Sequence, residues 1–194
     1  MIKKLSAKST HDIVNNDIFD LCYEMHKCKN TCINSVYNEV SNYKLNKYYQ
    51  FVSDCLLKIG FNKVSVTRDG DTNNRIDSII IDDKRSIPIE IKSPTEVTYI
   101  NVKSIGQALE NKIILLSRKF YKTDLLTTTL VIGYDKPNDR SEVNDLIDYF
   151  YNSYNIRIGY IDTKTLLEIR WDVQVENKQF DLEKIYNLKG VLNA

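Results

Sequence analysis

Three charged side chains interrupt isoleucine-rich segments in the middle of the chain. They are Asp77 in Ile76-Asp77-Ser78-Ile79-Ile80-Ile81, and Glu90 and Lys92 in Ile87-Pro88-Ile89-Glu90-Ile91-Lys92. A charge inside an apolar strand is costly unless it meets a partner or a metal. A two-residue turn at Asp83-Lys84 pairs Asp82 with Arg85 and, five residues back along each strand, Asp77 with Glu90. In that register the two carboxylates face each other at about 4.5–5.5 Å between Cβ atoms. Lys92, two residues past Glu90, shares their face. A slip of one residue would part them. Pro88 has no N–H for a ladder, so it is expected at an unpaired or edge position.

Adjacent carboxylates repel, and a hard divalent cation resolves the repulsion. Mg²⁺ takes one or two carboxylates and completes its shell with waters and phosphate oxygens. A lysine on the same face can orient an attacking water and stabilise charge on a phosphorane. The chemistry expected of Asp77, Glu90 and Lys92 is therefore metal-assisted phosphodiester hydrolysis. The plain alternative is a cross-strand salt bridge on a solvent-facing sheet, which is worth little.

The elements that must position these residues follow from periodicity. Ser9-Thr10-His11-Asp12 offers a helix start, after which Ile13, Phe19, Leu21, Cys22, Met25 and Cys28 recur at about helical spacing. Cys32, Val36 and Val40 mark a second helix. Leu45 to Ile59 marks a third, with Tyr48, Phe51, Val52, Cys55, Leu56 and Ile59 on one stripe and Gly60 as its C-cap. Beyond Gly60 the period shortens. Strands are expected at 62–67, 75–82 and 87–92, with Arg68-Asp69-Gly70-Asp71 as a loop. Then come a helix over 102–120, a strand over 127–134, a helix over 139–154, a strand over 156–161, and short helices at 163–170 and 180–188. This order predicts an α/β fold with a mixed sheet: a hairpin, then crossovers. The expected division is an N-terminal helical segment, 1–44, and a catalytic domain, 45–194.

At Asp77 and Glu90-Ile91-Lys92 the sequence resembles the PD-(D/E)XK nuclease superfamily, with Ile76 where the superfamily motif has Pro. The resemblance covers Leu45 to Gly133 and implies a restriction-endonuclease-like core: a mixed central sheet flanked by helices, here with an N-terminal helical lobe. Within the superfamily it is most similar to the cleavage domain of Fok-type type IIS restriction endonucleases. Ile105-Gly106-Gln107-Ala108, with Glu110 following, matches the start of the helix after that domain's catalytic lysine. Thr163-Lys164-Thr165-Leu166-Leu167 and the segment Phe180 to Leu188 are similar to its C-terminal end.

The resemblance implies Mg²⁺-dependent cleavage of double-stranded DNA to 5′-phosphate ends, with Mn²⁺ able to substitute. It implies that Gln107 points toward the site or the scissile phosphate, and that a further acid, Asp54 or Glu39 with Asp54 the nearer, assists Asp77 and Glu90 at the metal. Lys44, Lys47, Ser93 and Lys103 are the expected DNA contacts. Lys44 and Lys47 lie beside Tyr48 and Tyr49, as Arg118, Lys119 and Lys122 lie beside Tyr121; solvated helix faces carry the same mixture.

Composition sets the outer bounds. The chain has 194 residues, 42% hydrophobic and 27% charged, with only 6 Gly and 3 Pro; this excludes wholesale disorder and collagen-like designs. Lys and Arg number 27 against 26 Asp and Glu, a net charge of +1, so the basic excess of a self-sufficient DNA binder is missing. Target recognition is accordingly expected in a separate DNA-binding chain or domain, with a homodimer or heterodimer cutting both strands. The other functions considered are a stand-alone repair, resolvase or anti-phage nuclease, and an inactive nuclease-fold interaction module.

Cys22, His26, Cys28 and Cys32 are spaced C-x₃-H-x-C-x₃-C. That is not a standard zinc-finger spacing, and cysteines on helix core stripes account for it more simply. The absence of a leader pattern or an apolar run near 18 residues points to a chain with free thiols in the reducing cytoplasm, and to no membrane partner.

Overall fold

A computed structural model describes residues 17–66 and 76–193. The expected helix start at Ser9–Asp12, with Ile13, and the Arg68–Asp71 loop and Arg75 lie outside the described residues. Three helices come first: α1 (Ile18–His26), α2 (Lys29–Val40) and α3 (Leu45–Ile59). The α/β part follows as β1 (Val64–Val66), β2 (Ser78–Ile81), β3 (Ser86–Lys92), α4 (Val102–Ser117), β4 (Thr129–Gly133), α5 (Val143–Tyr154), β5 (Ile158–Asp162), α6 (Thr163–Gln174), α7 (Glu183–Tyr186) and β6 (Gly190–Val191).

The six strands form one sheet in chain order, β1-β2-β3-β4-β5-β6. The first three are antiparallel and the last four parallel, so β3 carries both kinds of ladder. Parallel neighbours need a crossover helix, and α4 and α5 supply those from β3 to β4 and from β4 to β5. The sheet is covered on both faces. Ile87, Ile89, Ile91, Leu130, Ile132 and Ile161 point into the layer of α1, α2, α3 and α6. Val131, Ile158 and Tyr160 point into the layer of α4 and α5, with Ile105, Ala108, Val143 and Ile147. Ile79, on the α4 side, packs with Ile76 and Leu115.

Helix ends follow local chemistry. Asn101 accepts the Ser104 N–H at 3.0 Å at the head of α4, and Asp162 does the same for Thr165 at the head of α6. Gly60, at φ +127°, closes α3. Several boundaries differ from the sequence expectation, and α7 covers only Glu183–Tyr186 of the expected 180–188. α4 ends at Ser117 rather than 120. α5 begins only at Val143, because 135–142 form a polar loop after β4. α6 extends to Gln174, held there by Arg170 Nε donating to Gln174 Oε1. The two-residue strand β6 was not read from the sequence; Gly190-Val191 has too short a pattern to register.

Of the two positions expected for Pro88, the edge is not the one found: it lies inside the central strand β3, opposite Ile79, with its nitrogen outside the ladder. Ladder pairing with β4 starts only at Ile89. The Ser86 N–H, two residues earlier and on the same side, reaches past the end of β4 to the Lys122 carbonyl. The proline nitrogen therefore faces the one stretch of β3 where no β4 acceptor is waiting.

Candidate active site

The β2–β3 register is the one the Asp83-Lys84 turn predicts: Ser78 opposite Ile89, Ile79 opposite Pro88, Ile80 opposite Ile87, Ile81 opposite Ser86. Asp77 directly precedes Ser78, so it comes level with Glu90 just ahead of the first residue of β2, while β3 runs on beside β4 to Lys92. Asp82 accepts the Lys84 N–H at 3.0 Å and fixes the turn that sets this alignment.

Each of the three charged groups has a defined partner. Lys92 Nζ lies 2.7 Å from Glu90 Oε1. Glu90 Oε2 accepts from Asn111 Nδ2 of α4 at 2.8 Å. Asp77 Oδ2 accepts the Ile91 N–H at 2.9 Å. From the opposite layer Tyr49 of α3 donates its hydroxyl to the Ile91 carbonyl at 3.2 Å, and also lies beside the Asp77 carboxylate. Glu90 is 3% exposed, so the solvent-facing salt bridge considered as the plain alternative does not describe this group.

Burial, and next the Glu90 carboxylate, push Asp77 up to about 7; the Ile91 N–H and the Lys92 ammonium pull it back. Burial likewise raises the Tyr49 hydroxyl, with Asp77, Glu96 and Glu90 adding to it, so Tyr49 stays a neutral donor. With both acids ionised, two carboxylates against one ammonium leave the site one negative charge in excess. That donor set suits a hard divalent cation, which would take Asp77 and Glu90 and fill its shell with water and phosphate oxygens. Among the described residues no group of three or more His, Cys, Asp or Glu is arranged for a metal, so any cation here rests on this pair.

The other expected site residues divide. Gln107 is one turn before Asn111 on the same face of α4, and its Oε1 is buried without a hydrogen-bond partner. Lys103 is exposed in the first turn of α4. Lys44, exposed, precedes α3 in the turn that Thr95 touches through the Tyr43 carbonyl, next to the end of β3.

Asp54 is not brought to the pair. It lies about 140° around α3 from Tyr49, at 100° per residue, accepts from Gln50 at 2.8 Å, and shares a groove with Asp17, Glu39, Lys47 and Gln50. Glu39 lies in that same groove. The reason is rotational: α3 presents its Tyr49 face to the hairpin. Lys47 stacks on Tyr43 at 3.7 Å along the groove. Ser93 is fully buried, and its hydroxyl donates to Glu96 at 2.9 Å, so it is not available to DNA.

Cys22 and Cys32 are buried, the first among the core residues of α1 and the second among those of α2, whereas Cys28 is exposed ahead of α2. His26 meets Ser35 at 3.5 Å. No metal group forms there among the described residues.

Sequence reasoning missed Asn111 and Tyr49 as site residues. Asn111 had a signal: it is a carboxamide set into the apolar stripe Ile105, Ala108, Leu115 of α4, and it is 3% exposed. Tyr49 had none, since it lies in a helix with several aromatic core residues.

No helix among the described residues is long and apolar enough to cross a membrane. Comparison with protein-family models, curated proteins and solved structures gives no match.

Proposed function

We propose that this chain is a metal-dependent DNA endonuclease with a PD-(D/E)XK-type core, acting as the cleavage domain or subunit of a restriction endonuclease whose DNA recognition lies elsewhere. The observation that carries the reading is the convergence of Asp77, Glu90 and Lys92 at one end of the β2–β3 hairpin, with the Lys92 ammonium 2.7 Å from Glu90 and both acids largely buried. Asp77 and Glu90 would hold Mg²⁺, or Mn²⁺ in its place. When bound, the ion supplies Lewis-acid neutralisation of the phosphoryl oxygens and a more acidic water.

The chain's own groups do the remainder. Lys92 is anchored by Glu90 on the carboxylate face, and its ammonium offers donors to a phosphoryl oxygen that gains charge in the transition state. Gln107 brings a carboxamide acceptor without a donor to the same side of α4. Asp77 is fixed to the Ile91 backbone, so its carboxyl keeps one orientation relative to β3. Lys44 and Lys103 are exposed, and would serve as phosphate contacts.

Nicking of supercoiled plasmid tests the reading. The chain is assayed with Mg²⁺, with EDTA, and with any DNA-binding chain encoded beside it. Mg²⁺-dependent nicking that falls by on the order of 10²-fold or more in Glu90→Gln and Lys92→Met supports it. Nicking that persists in both folded variants overturns it. The near-neutral charge supports a need for a recognition partner, and a homodimer or heterodimer is the arrangement that cuts both strands.

A further inference from the structure

We infer that Asn111 is a positioning residue that holds the Glu90 carboxylate in its cation-binding orientation, an assignment that rests on the metal-dependent reading above. Glu90 is buried, and its two oxygens are divided between unlike donors: Oε1 to the Lys92 ammonium and Oε2 to the Asn111 amide, at 2.7 and 2.8 Å. Lys92 belongs to the same strand as Glu90, two residues on, and its long side chain is flexible. Asn111 comes from α4 and ties the carboxylate to a different element.

The chemistry of the donor matters. A second ammonium or a guanidinium at this position would cancel the site's remaining negative charge and compete with a cation. A carboxamide N–H fixes the oxygen and adds no charge.

The stretch of α4 that carries the amide is held on both sides of Asn111. Three residues before it, the Ala108 carbonyl accepts the Thr129 hydroxyl of β4 at 3.0 Å. Immediately after it, Lys112 is fully buried and donates to the Thr127 carbonyl at 2.5 Å and to the Thr123 hydroxyl at 3.1 Å. The stretch of α4 around Asn111 is therefore pinned to the strand next to β3, and Glu90 inherits that placement. Outer donors of this kind tune metal affinity about as strongly as some ligands do.

The test uses the full chain and Mn²⁺ alone, with binding followed by the electron paramagnetic resonance signal of the free ion. The expected result is that Asn111→Leu, which keeps the volume and removes the donor, weakens Mn²⁺ binding by about 10-fold or more. Its melting temperature in EDTA falls by roughly 2–12 °C, the effect of leaving a buried Glu90 oxygen without its donor, and the chain stays folded. Asn111→Ser and Asn111→Gln retain a donor, and the better of the two is expected to bind within about threefold of the parent. In cleavage assays the loss in Asn111→Leu appears in kcat at low Mg²⁺ and is recovered at high Mg²⁺, with KM for DNA unchanged. If Asn111→Leu does not fold, Asn111→Ala replaces it. Mn²⁺ affinity unchanged in the donor-free variant, or no recovery in either donor-bearing variant, overturns this assignment alone. A parent chain that binds no Mn²⁺ overturns the metal-dependent reading and this inference together.

Discussion

Asp77 accepts the backbone N–H of Ile91, one residue beyond Glu90, at 2.9 Å. The acid from one strand is thereby fastened to the main chain of the strand that carries the other acid. The spacing of the two carboxylates is then a property of the hairpin register rather than of two flexible side chains.

That relationship makes stability depend on pH in a specific direction. Asp77 is raised to about 7 in the folded chain, by burial and then by Glu90, against about 3.9 when unfolded. Between those values the folded chain keeps a proton that the unfolded chain has lost. Metal-free stability should therefore fall as pH rises from about 4 through about 7, by on the order of 2–4 kcal/mol in all. Asp77→Asn, which cannot ionise, should flatten this slope and be more stable than the parent at pH 8. Urea unfolding at pH 5 and pH 8 in EDTA checks it; parallel pH profiles for the two proteins would contradict the assignment of the slope to Asp77.

Cation binding should oppose that loss. Mg²⁺ favours both carboxylates ionised, so added Mg²⁺ should raise the melting temperature more at pH 8 than at pH 5. At about 100 times its dissociation constant the gain is about 2.7 kcal/mol, or roughly 5–10 °C for a chain of this size. Glu90→Gln should lose most of the shift. Thermal melts with and without Mg²⁺ measure it, and an equal shift in the variant would place the ion elsewhere.

Away from the site, Arg170 of α6 is fully buried and meets Asp17 at 2.6 Å and Asp20 of α1 at 3.4 Å, with its guanidinium over the Phe19 ring at 4.3 Å. It ties α1 to the layer of α3 and α6. Arg170→Met should cost about 2–3 kcal/mol, below the roughly 3–5 kcal/mol of a fully buried pair, because the partner aspartates are partly solvated. The Mg²⁺-induced shift should remain. Unfolding curves of the variant with and without Mg²⁺ separate the two effects.

Gly159 of β5 is packed so closely that a methyl group there would lie 2.4 Å from Leu188 Cδ2 and 2.9 Å from Leu188 Cβ. Gly159→Ala should destabilise by about 1–3 kcal/mol, since Leu188 and the segment joining α7 to β6 must move. Gly106, with nothing within 4 Å of an added Cβ, is the control. Gly106→Ala on α4 should be neutral or stabilising by up to about 1 kcal/mol through helix propensity. Denaturant midpoints of the two variants give the comparison.

The local periods in the chain determined much of this protein. The isoleucine runs, the Asp83-Lys84 turn and the alternation of side chains put Asp77, Glu90 and Lys92 on one face, because a strand's two-residue period leaves little choice once the turn is known. The stripe from Tyr48 to Ile59 likewise determined α3 as a helix. What a local period does not contain is the rotation of one packed element against another. Only the tertiary structure decided that α3 turns Tyr49, and not Asp54, toward the hairpin, and that α4 brings Asn111 to Glu90. It also decided that Ser93 closes on Glu96 instead of facing outward, and that Pro88 lies in a central strand just ahead of the β4 ladder. Those choices come from burying apolar stripes of several elements at once, and that balance is struck between segments far apart in the chain.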